Sequence, residues 1–451
     1  MPSYSISLSH FKLCFLFTRK YHIFFSVSAS VTNKHRCIMK RLPINYGFSS
    51  HAIHAGELTD DICQAHVAPI YQTSTFGFKD VEQGRRQFTG KEKGYIYSRW
   101  YNPTVEAIEE KIAALEGMEL RQNTKKGDSC PEMAGLAFSS GMAAISTLMF
   151  TLLRPGDTVI THGGLYGGTT ELIEKLLPEI EISHVLVHMN EHEKLATAIK
   201  QVKSPGLIYL ETPANPTLGM TDIALISEIA HAHGLKVAVD NTFATPILQQ
   251  PLALGADYVV HSTTKYLNGH GTTVGGMVVS RELDFVRKDL WHHKELMGGS
   301  PSPFDAWLIN QGLKTLALRM ERHCANAMAV ARWLDQHPKV AYVAYPGLEH
   351  FRHYELARRQ MKGFGGMVSF ELKGGLEAGV TVMDNVFLCT LAVSLGTVDT
   401  LIQHPASMTH TSVSSEEREA YGITDGLVRL SVGIEDVEDI IDDLDRAMGK
   451  I

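Results

Sequence analysis

The sequence predicts an α/β protein with a mostly parallel central sheet under covering helices, followed by a smaller α+β unit. Three observations carry that reading. Helix and strand signals alternate regularly from about residue 100 to 261, which places parallel strands beneath helices. Several strand signals end in a polar residue at the start of a Ser-, Thr- or Pro-rich loop. Ser300-Pro-Ser-Pro303 then breaks the alternation, and a long helix follows.

The elements follow in order. Asn102 caps a helix with Pro103 at its first position; Val105, Ile108, Ile112 and Leu115 recur at helical spacing, and Gly117 stops it. Gly135–Phe138 reads as a short apolar strand. Ser139-Ser140-Gly141 opens a helix to about Leu153, before Pro155-Gly156. Strand Asp157–Thr161, helix Thr170–Leu177, strand His184–His188, helix Glu193–Val202 and strand Leu207–Glu211 continue the alternation. Helix Asp222–His233 ends at Gly234, and strands Lys236–Asp240 and Tyr258–His261 follow. Beyond Pro303 the spacing predicts one helix over about Phe304–Leu334, then strand Gly366–Leu372 and helix Asp436–Ala447. The expected organisation is an extension over 1–38, an arm over 39–100, a large unit over 101–300 and a small unit over 301–451.

Composition narrows the function. With 451 residues, 44% of them hydrophobic, the chain can bury a large core. A net charge of -7 argues against nucleic acid and anionic membranes as partners. Six scattered cysteines form no CxxC pair, which fits a reducing, cytoplasmic setting. None of the 22 histidines sits in an HExxH pattern, so a metal has no anchor. No GxGxxG follows a strand and no GxxxxGK[ST] occurs, so nucleotide binding is poorly supported. Residues 1–38 are basic, with no Asp or Glu before Glu57, as in a presequence; the plainer reading places the true start at Met39. The apolar stretch Phe11–Phe17 is too short to span a bilayer.

Open parallel sheets bind ligands beyond the carboxyl ends of their strands. Four strand ends here converge on such a rim: Ser140-Gly141, Glu211 with Asn215, Asp240, and His261 with Lys265. Lys265 follows an apolar strand within a Ser/Thr cluster, where its amine can condense with an aldehyde; a solvated surface lysine is the alternative. Asp240 ends a strand too apolar for an edge. It either meets a cationic ring nitrogen or caps its own loop through Asn241. Ser140-Gly141-Met142 is an anion site at a helix start or an ordinary cap.

Taken together, these segments resemble the pyridoxal-5'-phosphate (PLP) enzymes of cysteine and methionine metabolism, the cystathionine synthase/lyase group. The resemblance runs from about Phe48 to the C-terminus. It is carried by Pro-Ile-Tyr-Gln-Thr-Ser-Thr-Phe (69–76), Tyr-Ser-Arg (97–99), Ser-Gly-Met (140–142), Leu-Tyr-Gly-Gly (165–168) and Glu-Thr-Pro-Ala-Asn-Pro (211–216). Val-Asp-Asn-Thr (239–242), His-Ser-Thr-Thr-Lys-Tyr (261–266), Ala-Val-Ser-Leu-Gly (392–396), His-Pro-Ala-Ser-Met-Thr-His (404–410) and Val-Arg-Leu-Ser-Val-Gly (428–433) extend it. Leu313–Asn326 and Thr400–Gly433 are most similar to the methionine gamma-lyases.

The resemblance implies the PLP-dependent transferase-like fold of the aspartate aminotransferase type (fold type I). It implies α,γ-elimination of a sulfur amino acid, with gamma-replacement as the alternative. Lys265 would hold PLP covalently and shuttle protons, and Asp240 would pair with the ring nitrogen. Tyr166 would stack on the ring and act as an acid. Ser140, Gly141, Met142, Ser262 and Thr264 would hold the phosphate, and Asn215 the phenolic oxygen. Arg429 and Ser394 would clamp the substrate carboxylate; alone, Arg429 reads as a surface ion-pair residue. Tyr97 and Arg99 would reach the site of a neighbouring subunit, so a dimer is required, and dimers pair into a tetramer. Two departures bear on substrate. Gly168 stands where methionine gamma-lyases carry cysteine, and Lys294-Glu295 where they carry a Lys-Asp pair bonded to it. Arg121–Met133 looks like an inserted polar surface loop.

Overall fold

The computed structural model describes residues 39–60, 62–124, 129–409, 411, 416, 418 and 422–451. The 1–38 extension and Lys125–Asp128 of the insertion lie outside the described residues.

Seven strands form the first sheet: β1 (Ala134–Phe138), β2 (Thr158–Thr161), β3 (Ser183–Leu186), β4 (Pro205–Glu211), β5 (Lys236–Asp240), β6 (Tyr258–Ser262) and β7 (Gly276–Ser280). Their order is β1-β7-β6-β5-β4-β2-β3. β2, β3, β4, β5 and β6 pair in parallel, while β7 runs antiparallel to both β1 and β6. The sequence alternation did not reveal β7. No helix separates it from β6, so the chain turns back instead of crossing over. β4, β5 and β6 are nearly continuous apolar runs because both faces are covered. On one face their apolar side chains join a single core cluster; on the other, those of β4 and β5 join a second and Val259 of β6 a third.

The second sheet has five strands: β8 (Val340–Ala344), β9 (Met367–Leu372), β10 (Thr390–Leu391), β11 (Leu401–Gln403) and β12 (Leu427–Ser431), in the order β10-β11-β12-β9-β8. Helices Leu316–Gln336 and Val437–Met448 supply Val330, Leu334, Ile440 and Leu444 to its core.

The expected single helix after Pro303 is two, Pro303–Leu313 and Leu316–Gln336. The break has a packing cause. A Cβ on Gly312 would lie 2.0 Å from the Asn268 carbonyl oxygen, so only glycine fits there. Buried Arg319 takes the Gly312 carbonyl at 2.7 Å and the Tyr266 carbonyl at 2.8 Å. The expected helix over Thr170–Leu177 starts earlier, at Gly167, and continues past Glu171 as π and then 3₁₀ turns. The insertion is not loop at both ends: Met118–Gln122 is helical and Met133 is buried against Gly117. No helix among the described residues is long and apolar enough to cross a membrane.

The N-terminal segment is tied to the first unit by a buried lysine. Lys111 Nζ donates to the Ala52 and Ile53 carbonyls in the last turn of helix Phe48–His54, and to Glu57 Oε1 at 2.7 Å. Glu57 also accepts from Asn310 and Lys314. Burial is the largest effect on the Lys111 amine and lowers its pKa to about 8, with the Glu57 carboxylate opposing. Removing one partner strands the other charge in the interior. Glu57→Ala should therefore destabilise the fold by about 3 kcal/mol, the low end for a buried pair because two carbonyls remain. A urea midpoint indistinguishable from wild type would remove this anchor from the account.

Candidate functional site

β4, β5 and β6 end at one rim, and the helix Gly141–Leu152 after β1 begins beside them. Ser140 caps that helix, its hydroxyl accepting from the Ala143 N–H at 3.0 Å. The ordinary capping role is therefore filled. The helix start faces Ser262, since a Cβ on Gly141 would lie 3.0 Å from the Ser262 Cβ. Thr242 from the β5 loop accepts from the Ser262 N–H at 2.9 Å, joining two strand ends. Thr264 Oγ1 accepts from the Gly275 N–H at 3.0 Å, and Met142 Sδ lies 4.0 Å from Thr169 Oγ1.

Asp240 is buried at the end of central β5. Its Oδ1 accepts from the Thr242 N–H at 3.0 Å and its Oδ2 from the Tyr209 hydroxyl at 3.4 Å. Thr242, not Asn241, makes the loop cap anticipated for it. Glu211 is its register partner on β4. Burial raises the pKa of both carboxyls, and for Glu211 the Asp240 charge adds to it.

Lys265 sits in the turn after β6, closed by the Gly269 N–H to the Lys265 carbonyl at 2.8 Å. Its amine donates to Ser394 Oγ at 3.0 Å. Burial, and then the neighbouring Arg429 guanidinium, lower the amine to about 8. Gly396 allows this approach: at φ +78° it lies so close that a Cβ would be 2.6 Å from the Tyr266 nitrogen.

Arg429 is 4% exposed, so the surface ion-pair reading fails. Its Nη1 donates to Asn215 Oδ1 and its Nη2 to the Ser394 carbonyl, both at 2.9 Å. Burial lowers it to about 10, and its Nε is left without a partner. Tyr166 is 49% exposed in the loop ahead of helix Gly167–Glu171, not in the core. A Cβ on Gly168 would lie 2.8 Å from its ring, so a larger residue there would displace it.

Among the described residues, Tyr97 and Arg99 hydrogen-bond none of these groups. Arg99 Nη1 donates to the Glu295 carbonyl at 2.5 Å, and its guanidinium lies 5.5 Å from the Tyr97 ring centroid. Lys294 turns inward: it is buried, with its amine 3.9 Å from Glu109 Oε1. Burial lowers Lys294 and raises Glu109.

The sequence reading missed the support around Glu211, the Tyr209–Asp240 contact and the Arg319 anchor. For Glu211 the signal was there: like Asp240, it is an acid directly after an apolar strand.

An amine, a buried acid and a helix start on the rim of a mostly parallel sheet define the fold type I class of PLP enzymes. The chain belongs to the Cys/Met metabolism PLP-dependent enzyme family, whose model matches residues 49–449. It is 50% identical to an L-methionine gamma-lyase of Fusobacterium nucleatum subsp. nucleatum, covering 90% of this chain and 98% of that one. A cystathionine beta-lyase of Coxiella burnetii is 42% identical, over 88% and 97% of the two chains. A crystal structure of cystathionine gamma synthase from Xanthomonas oryzae pv. oryzae, with aminoacrylate and cysteine, superposes at a TM-score of 0.82 with 40% identity, covering 91% of this chain and 99% of that one.

The residues fit the cofactor. Among the described residues, no cationic side chain hydrogen-bonds Asp240, so a protonated ring nitrogen would have a partner there. The low pKa of Lys265 gives a kinetic test. Capture of added PLP by the apoenzyme, trapped with borohydride, should quicken with pH and level off above about 8. Arg429→Gln removes a nearby positive charge and should move that profile upward. Capture independent of pH between 6 and 9.5 would contradict the assignment.

Proposed function

We propose that this chain carries out PLP-dependent α,γ-elimination of a sulfur amino acid: L-methionine and water give methanethiol, ammonia and 2-oxobutanoate. The observation that carries this is the buried Lys265 amine, 3.0 Å from Ser394 Oγ and beside Arg429, in a chain half identical to a methionine gamma-lyase. When bound, PLP supplies an electron sink that acidifies the substrate's Cα and Cβ hydrogens. Lys265 holds the cofactor and then moves the Cα proton. Arg429 and Ser394 hold the substrate carboxylate, the guanidinium fork offering paired donors. Tyr166 stacks on the ring and hands a proton to the leaving sulfur. Asp240 holds the ring nitrogen, and Asn215 the phenolic oxygen. The helix start at Ser140, Gly141 and Met142, with Ser262 and Thr264, holds the phosphate.

Tyr97 and Arg99 serve the phosphate of a neighbouring subunit, in keeping with their contacts to Glu295 and to each other rather than to the Lys265 cluster of their own chain. The 39–100 arm then belongs functionally to the partner, while 101–300 binds the cofactor and 301–451 closes over it. A dimer is the smallest active unit, and pairs of dimers form a tetramer. Free Cys63, Cys130, Cys324 and Cys389 fit a reducing cytoplasm.

Gly168 favours a second reading. With no side chain at Gly168 the Tyr166 ring packs closer than a cysteine there would allow, since a Cβ would lie 2.8 Å from it, and cystathionine or homocysteine is then the alternative substrate. Gamma-replacement on an activated homoserine uses the same residues. Incubation of the pure protein with methionine, homocysteine and cystathionine, without a thiol acceptor, separates these. Release of 2-oxobutanoate supports elimination; turnover of activated homoserine alone supports replacement. In either case Lys265→Ala should cut turnover by about a thousandfold or more. Unchanged turnover in that variant would end the proposal.

A further inference from the structure

We propose that Glu211 is a positioning residue whose carboxylate fixes the Tyr166 and Asn215 backbones, and through Asn215 the Arg429 clamp. The inference rests on the functional reading above and deepens it.

The side chain, 4% exposed, works as a fork. Its Oε2 accepts from the Tyr166 N–H at 2.8 Å and its Oε1 from the Asn215 N–H at 2.9 Å. Those two residues are far apart in sequence and belong to different loops. The backbone of Glu211 holds the first loop a second time. Its N–H donates to His162 Nε2 at 3.0 Å, while His162 Nδ1 meets the Gly163 carbonyl at 2.8 Å. Residues 162–166 therefore hang from Glu211 at both ends. The second branch runs onward from Asn215, whose Oδ1 accepts from Arg429 Nη1 at 2.9 Å. One carboxylate thus sets the stacking tyrosine and the carboxylate clamp relative to each other.

A residue needed only to fill the end of β4 would not be an acid. Glu211 is buried in register with Asp240, where two neighbouring carboxylates repel and desolvation opposes both. What it gains there is two backbone donors, one per oxygen, and the nearby Arg429 charge. Glutamine has one acceptor oxygen, so either orientation of its amide points a donor at a backbone N–H. Aspartate keeps the carboxyl group but is one methylene too short to serve both loops.

The test uses the holoenzymes of Glu211→Gln and Glu211→Asp. KM for the best substrate should rise about tenfold or more, with a smaller loss in kcat, as the clamp loosens. The visible circular dichroism of bound PLP should change as Tyr166 loses its fixed stacking. A role limited to fold stability would lower the unfolding temperature and leave both readouts alone. Should Glu211→Gln fail to fold, Glu211→Asp carries the comparison. KM within about twofold of wild type and an unchanged dichroism overturn the inference. A wild-type enzyme that turns over none of the candidate substrates overturns the functional reading instead, and the dichroism comparison still decides Glu211.

Discussion

Arg429 is a cation with almost no access to water, and among the described residues no carboxylate hydrogen-bonds it. That is costly unless neutral acceptors or an incoming anion meet it. The Asn215 side chain and the Ser394 carbonyl meet two of its nitrogens and leave Nε unpaired. The guanidinium stands on β12 of the second sheet and reaches the loop after β4 of the first. One join between the two sheets is thus made at the point where chemistry is proposed. An anionic carboxylate is the natural partner for the remaining donor capacity, and an amino acid substrate brings one.

The same cation shapes Lys265. Two positive groups sit close together there with little water to screen them, so the amine gives up its proton more readily. Gly396 makes this proximity possible, because any side chain would strike the Tyr266 nitrogen. The acids facing them are Asp240 and Glu211, and burial pushes both toward the neutral form. A phosphate at the helix start would add an anion to the rim, and a protonated ring nitrogen at Asp240 would draw that acid back toward its carboxylate.

Much of this was legible in the sequence, and the reasons differ by element. β4, β5 and β6 were found because strands covered on both faces must be uniformly apolar. Lys265, Asp240 and Asn215 were placed at the rim because the carboxyl ends of such strands form it. β7 escaped because periodicity does not distinguish direction, and the absence of a covering helix shows only in three dimensions. The break at Lys314–Thr315 escaped because it depends on Gly312 packing against Asn268, distant in sequence. Arg319 escaped for a like reason: it lies mid-helix, and only the carbonyls of Tyr266 and Gly312 reveal its role. The true setting of Arg429 was hidden because a lone arginine in a strand carries no signal of what buries it.

What keeps the rim in place lies on the other side of the sheet. Strand side chains alternate faces, so the residue after Asp240 and the residue before Ser262 point away from the rim. Those residues are Asn241 and His261, and both meet one carboxylate. Glu116 Oε1 accepts from Asn241 Nδ2 at 3.0 Å and lies 2.5 Å from His261 Nε2. Gln249 adds a bond to Asn241 and another to the Thr212 carbonyl after β4. The ends of β4, β5 and β6 are therefore tied together behind the sheet by a network that never touches the rim. The alternation that makes a strand two-sided lets one short stretch of chain present chemistry on one face and anchor itself on the other. The spacing of Asp240, Ser262 and Lys265 is held by residues one position away from each of the strand ends.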